Sequence, residues 1–377
     1  MSKKRILVFT GTRADYGLLH PLLNEMLTTK GLKPTLLIGG EHFWNVESFR
    51  ETQSIPELTH RLLMPLRAGN ILKDATLAKR ALSQELAFTE FITTSKKAYD
   101  ALIVLGDRYE AMAVAMAAFY HDIPVIQLAA GDCTEGGCPD DRLRFAITAL
   151  AKGVVCFSKA SAKRVRRLGL HDDSCILHTS SLSVDNALSI PMMTKAELLT
   201  SLGMDVLSEF VLFTQHPVPA EGESTVVNFA ESLEGLSSLQ AKNVEVIATL
   251  PNMDVVGDDF AQIIEGSKQQ DTHIHWVESL GAERYLNALR HALAVVGNSS
   301  SGLYESPLFG TPCINIGPRQ AGRERAANVI DVDYGSAFLK KALNNLWMEP
   351  KPKARIDSPF GNTPASTKII GFIEEIV

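Results

Sequence analysis

Cysteine is scarce in this chain. Its five cysteines (133, 138, 156, 175 and 313) form no CxxC pair, which argues against a disulfide frame or a zinc site and for reduced thiols. Long hydrophobic runs are missing too. The longest, Ala111 to Tyr120, has ten residues, about half of what a bilayer-spanning helix needs. Met1 to Arg5 leads straight into the strand-like ILVF without an apolar leader segment. No signal peptide and no membrane partner are therefore expected, and the cytoplasm is the expected compartment. Charge of one sign is not in excess: 37 Lys and Arg against 43 Asp and Glu give a net charge of −6. Basic residues cluster only at Lys163-Arg164 and Arg166-Arg167, so nucleic acid is not an expected partner. No GK[ST] P-loop, GxGxxG spacing, short-period repeat or low-complexity tract occurs, which disfavours ATP and NAD as ligands.

What is present is ordinary for a globular enzyme: 377 residues, 45% hydrophobic and 21% charged, enough for one large core or two. Short apolar runs alternate with stretches of helical period. Ile6 to Phe9, Thr35 to Ile38, Leu102 to Leu105, Val125 to Leu128 and Val154 to Phe157 read as strands. Helical segments separate them, among them Leu18 to Leu27, Leu77 to Lys97, Tyr109 to Phe119 and Arg142 to Ala151. Continuous β-branched and aliphatic runs mark strands covered on both faces, as in parallel sheets.

The pattern pauses between Leu182 and Asp205, where Thr194 is placed to cap a short helix ahead of Glu197. A second series follows: Phe210 to Phe213, Val244 to Ala248, His273 to Trp276, Ala294 to Val296 and Cys313 to Ile316. Helices Thr225 to Leu239, Phe260 to Lys268 and Ala282 to Ala292 lie between them, and a last helix runs over Ser366 to Val377. The fold class is α/β: two Rossmann-like, doubly wound halves joined near residue 190. The expected domains are 1–188 and 205–362, with 363–377 as a C-terminal helix. Ligands of such folds sit at the carboxyl ends of the strands, so the site is expected in the cleft between halves.

Polar motifs stand at those strand ends. Gly11 to Gly17 (GTRADYG) carries Arg13 and Asp15 from the first strand into the first helix, a place suited to an anion; a tight β-α turn is the plainer alternative. Gly106 to Glu110 (GDRYE) places Asp107 and Arg108 after a strand, although Asp107 could simply cap the next helix. Gly131 to Arg142 offers Asp132, Asp140 and Asp141 for proton transfer, or for capping and a surface loop. In the second half, His216 ends a strand. The run Gly297, Asn298, Ser299, Ser300, Ser301, Gly302 precedes a helix expected through Leu308, with Glu305 on its first turns and Arg319 and Arg323 downstream. Three serines between glycines exceed what helix capping needs and suit a diphosphate cradle. His273 and His275 share a strand face without completing a metal set, and no metal is expected.

Together these motifs resemble the hydrolysing UDP-N-acetylglucosamine 2-epimerases of sialic and legionaminic acid synthesis. The resemblance rests on GTRADYGLL (11–19), GDRYE (106–110), QHPV (215–218), GNSSSG (297–302) with Glu305, PRQAGRE (318–324) and SPFGN (358–362). It covers essentially the whole chain. It implies a GT-B-like fold, a UDP-sugar substrate, no cofactor, a homo-oligomer (dimer or tetramer) and a last helix packing back on the N-terminal domain. In that family UDP is eliminated across C1 and C2, and water adds to the resulting 2-acetamidoglycal to give the free epimer.

Carried over by position, Arg13, Asp15 and Arg108 would serve substrate binding. Gly297 and Ser299 to Ser301 would cradle the diphosphate, Glu305 would bind the ribose and Arg319 the phosphates. His216 would stabilise the departing diphosphate, and Asp107, Asp132 and Asp140 would form the acid/base set. The chain departs from the family pattern at Ala129, where many members carry a catalytic carboxylate, and at Phe145, where a histidine is usual. Another aspartate taking over, a different substrate such as a 2,4-diacetamido sugar, or loss of epimerisation would each accommodate this. In the last case a UDP-sugar hydrolase, a GT-B glycosyltransferase or a non-catalytic UDP-sugar binder would remain.

Overall fold

The computed structural model describes residues 3–43, 45–63, 76–95, 98–134, 140–218, 221–251, 258–348 and 354–377. These form two α/β units. Residues up to Cys133, 140–186 and Thr363–Val377 make the first; Thr134 and Ala187–Asn362 make the second.

The first unit is built on seven parallel strands: β1 Lys4–Thr10, β2 Leu32–Ile38, β3 Thr59–Leu62, β4 Ala101–Leu105, β5 Val125–Leu128, β6 Gly153–Cys156 and β7 Ile176–His178. Their order across the sheet is β3-β2-β1-β4-β5-β6-β7. The aliphatic runs divide their side chains between two cores, as pleated strands must. Ile6, Val8, Ile103 and Ile126 face one core with helix Arg13–Thr28 and tail helix Ser366–Ile376. Leu7, Phe9, Leu102 and Val104 face the other, where the alanine-rich helix Tyr109–Tyr120 packs.

The tail helix is fastened by one buried carboxylate. Asp185 accepts from the amides of Ala365 and Ser366 (2.7 and 2.9 Å) and from the Ser366 hydroxyl (2.6 Å). It thereby satisfies donors that a helix start leaves open.

The second unit has six parallel strands: β8 Glu209–Thr214, β9 Val244–Thr249, β10 Ile274–Val277, β11 Val295–Gly297, β12 Cys313–Ile316 and β13 Val329–Val332, in the order β10-β9-β8-β11-β12-β13. The segment read as a pause is in fact ordered. Helix Leu182–Ser189 ends the first unit's last crossover. Asn287 then holds the next stretch, accepting from the Met193 amide and donating to the Pro191 carbonyl. Thr194 and Glu197 form the expected capping box.

Both sheets reverse strand order once, at β1/β4 and at β8/β11. The sequence motifs therefore flank the two points where doubly wound sheets open a crevice. At the second of these, Gly297 has φ +128°, and a Cβ there would lie 2.0 Å from the Thr214 carbonyl oxygen. Only glycine lets the two strand ends approach so closely.

Candidate active site

In the first unit the turn after β1 is capped by Thr12, whose hydroxyl accepts from the Asp15 amide (3.2 Å). Arg13 pairs with Glu51 at 2.5 Å and stays about 40% exposed. Asp15 points into a cluster with Arg108 and Glu110. Burial pushes its carboxyl up to about 7, with Arg108 pulling down and Glu110 pushing up.

Arg108 is not a bare anion receptor. It makes a two-pronged bond to the buried Glu110 (3.1 and 3.0 Å) and another to Glu41 at 2.6 Å. The cluster thus holds three carboxylates around one guanidinium. Repulsion among them and poor solvation explain why Asp15 keeps its proton near neutrality.

Asp107 does not cap the helix beginning at Tyr109. The N-cap is Arg108, with no side-chain capping bond. The Asp107 carboxylate instead accepts from Arg144, a residue only 3% exposed on helix Asp140–Leu150. Arg144 also donates to the Ala129 carbonyl at 2.9 Å. Gln127, fully buried in β5, donates to the carbonyls of Gly106 and Arg144 (3.1 and 3.0 Å) and accepts from Thr148 at 2.7 Å. One polar frame therefore ties the ends of β4 and β5 to the helix.

Ala129 itself has φ +59°, a conformation costing an alanine about 1 kcal/mol. The turn keeps this geometry with a methyl group in it. Asp132 is buried, and Asp141 lies 3.9 Å from the Arg144 guanidinium while accepting from the Cys133 thiol. Residues 135–139 and the side chain of Asp140 lie outside the described residues; the Asp140 backbone opens its helix.

In the second unit Asn298 organises the site. Its side chain accepts from the His216 amide (2.7 Å) and donates to the His216 carbonyl (2.8 Å), locking the turn after β8 to the turn after β11. Its own carbonyl accepts from Arg319 and from the buried Gln320, both at 2.8 Å. Arg319 thus stands beside His216. Burial and then the Arg319 charge lower the imidazole to about 4, so it is neutral at pH 7.

Ser301 and Ser299 are bonded to each other at 3.1 Å, and the Tyr285 hydroxyl meets Ser301 at 2.5 Å. Ser300 starts the following helix without a side-chain capping bond. That helix is not continuous through Leu308, as the sequence suggested. It breaks into Ser301–Tyr304 and Ser306–Phe309, with Glu305 at the joint. Pro307, in the first turn of the second piece, supplies no amide donor to continue the first helix's hydrogen bonds.

The motifs lacked several partners that the fold supplies: Glu41, Gln127, Arg144 and Tyr285. Thr12, Glu110, Asn298 and Gln320 stood inside quoted motifs. Among the described residues, no three His, Cys, Asp or Glu side chains converge to hold a metal, and no helix is long and apolar enough to cross a membrane.

A family model described as UDP-N-acetylglucosamine 2-epimerase matches residues 30–374. The chain belongs to this family. Among its curated epimerase relatives is the GDP/UDP-N,N'-diacetylbacillosamine 2-epimerase (hydrolyzing) of Campylobacter jejuni, 32% identical over 348 residues, covering 90% of this chain and 88% of that protein. The polysialic acid biosynthesis protein P7 of Escherichia coli is 32% identical over 343 residues, covering 90% of this chain and 85% of that one. In fold, the chain is similar to the UDP-GlcNAc 2-epimerase of Neisseria meningitidis, solved bound to UDP-GlcNAc. The TM-score is 0.81 at 17% identity, over 98% of this chain and all of that one. The two Rossmann-like halves are thus those of a GT-B-like epimerase fold.

Proposed function

We propose that this epimerase-family protein is a hydrolysing UDP-sugar 2-epimerase. It takes UDP-N-acetylglucosamine or a UDP-2,4-diacetamido sugar and releases UDP and the free 2-epimer. In this reaction a base removes the C2 proton, the C2–H electrons form the C1=C2 bond, and the C1–O electrons leave with UDP. Water then adds oxygen at C1 and a proton at C2.

The observation that carries the proposal is the Asn298 knot. It places a neutral imidazole, a guanidinium and the triple-serine turn at one switch point, a set suited to a diphosphate. Negative charge grows on the leaving group, and Arg319 and backbone amides meet it without reorganising. A bound diphosphate also favours protonation of His216, so proton donation to the leaving oxygen becomes available on binding.

Arg13, Ser299, Ser300 and Glu305 are assigned to the nucleotide. Ser301 braces the turn from behind. Arg108, already paired with two carboxylates, orders the acidic cluster around Asp15 more than it reaches for phosphate. Proton transfer at carbon falls to the aspartates of the first unit, with Asp107 held by Arg144 and Asp132 and Asp140 on the neighbouring turn and helix. With Ala129 in the turn, an aspartate must supply what a carboxylate there would do.

The polysialic acid biosynthesis relative supports a place in nonulosonic acid synthesis of the sialic type; the legionaminic type, a cytoplasmic location and a homo-oligomeric working form are part of the same proposal. Incubation with each UDP-sugar in D₂O tests the reaction. UDP release with deuterium at C2 of the free sugar is expected; release with protium retained at C2, or binding without turnover, would refute it.

A further inference from the structure

A line of hydroxyl groups crosses the switch point of the second unit. The Thr249 and Thr214 hydroxyls, at the ends of β9 and β8, are 2.8 Å apart. The Tyr285 hydroxyl, from helix Gly281–His291, bonds to Ser301 at 2.5 Å, with the Thr214 and Ser299 hydroxyls close enough to act on it. Ser301 in turn donates to Ser299 at 3.1 Å, and its amide reaches the same oxygen at 3.4 Å. One phenol therefore stands between two strand ends and the serine turn, bonded to the third serine and through it to the first.

We infer that Tyr285 is a positioning residue for nucleotide binding: its hydroxyl fixes Ser299 and Ser301 so that the turn between them is held ready for the diphosphate. This deepens the proposed function and rests on it.

Two properties point this way. Three successive serines on a turn would otherwise rotate among hydroxyl and backbone partners, competing with a ligand for the same amides. Tying the outer two removes that competition and much of the ordering cost that binding would bear. The tie is also well placed to hold. Thr214 and Ser301 are buried, and a buried hydroxyl robbed of its partner is costly, so the chain resists rearrangement. Asn298 fixes the same turn through its backbone and His216, but it leaves the serine side chains alone. The two devices act on different atoms. Tyr285 is the only member of the line that reaches both strand β8 and the serines.

The test is UDP binding by calorimetry together with steady-state kinetics on Tyr285→Phe and, further along the line, Thr249→Val. Tyr285→Phe should raise the UDP Kd and the substrate KM about tenfold while kcat at saturation stays within twofold. Thr249→Val should raise both about threefold. A double variant with Ser299→Ala should bind no worse than the weaker single variant, because both remove one unit. Wild-type Kd in Tyr285→Phe, or a fall in kcat with KM and Kd unchanged, would overturn the inference. Should Tyr285→Phe fail to fold, wild-type Kd in Thr249→Val would do so. Failure of the underlying reading looks different: the unaltered protein would itself not bind UDP.

Discussion

The two units place opposite chemistries at equivalent points of the same topology. At the β1/β4 end of the first sheet, the polar groups are ionic: Asp15, Arg108, Glu110 and Glu41 in one cluster, Asp107 and Arg144 in another. At the β8/β11 end of the second, they are amides and hydroxyls around a single guanidinium, Arg319. Charges near one another disturb proton affinities, which is what proton transfer at carbon requires. Amide and hydroxyl donors with a guanidinium among them suit an anion, with Glu305 the one carboxylate that acts on Tyr285 there. Under the proposed function, the difference puts proton transfer at carbon on the first unit and most of the diphosphate recognition on the second.

The strongest way to break this division is Asp107→Asn. Turnover should fall by about 10²- to 10⁴-fold with the UDP Kd nearly unchanged, measured by UDP release and calorimetry. Comparable loss of binding would mean that recognition is not confined to the second unit. Arg319→Ala is the converse: the UDP Kd should rise about 10- to 100-fold, with kcat much less affected.

Asp15→Asn probes the ionic cluster through stability. The folded Asp15 carboxyl sits near 7 against 3.8 in the unfolded chain. Its stabilising effect is full below about pH 4 and is lost as pH rises towards 7. Asparagine removes that loss, so the variant should be more stable than the parent above pH 7. With the residue partly exposed, about 1–2 kcal/mol is expected, read from denaturant melts at pH 5 and 8. An unchanged difference between the two pH values would contradict the cluster. His216→Asn tests the neutral side. His216 sits near 4 when folded against 6.5 unfolded, so it supports stability above pH 6.5 and loses that support as pH falls to 4. Removing it should flatten the pH dependence of the unfolding free energy over this window by about 1 kcal/mol, the smallest of these effects, read from denaturant melts.

Every inner strand was legible, but of the four edge strands only β10 was. β1, β4, β5, β8 and β12 are buried on both faces and stand out as short, mostly apolar runs. β3, β7 and β13 escaped notice. They lie at sheet edges, and Thr59–Leu62 and Val329–Val332 are half-exposed or more along their length. An edge strand needs no continuous apolar run, so it leaves none to read. Helix Lys159–Leu168 hid in the same way, with only Ser161, Ala162 and Val165 buried.

At the site, sequence reasoning found the turns because topology puts function at strand ends. It missed what holds them. Asp107 and Arg144 are 37 residues apart, and His216 and Asn298 are 82 apart. Such pairings exist only once the crossovers have folded. Tyr285 sits in a helix with no motif around it, so nothing short of the fold could single it out.

The tail helix has a consequence for biosynthesis. Ile369, Ile370, Phe372 and Ile373 complete the core beneath helix Arg13–Thr28, yet the ribosome makes them only after the whole second unit. Until then the nascent N-terminal sheet carries an uncovered greasy flank while the entire second unit is being made. Vectorial folding cannot finish that half early, and a stop codon before residue 366 would strand it incomplete.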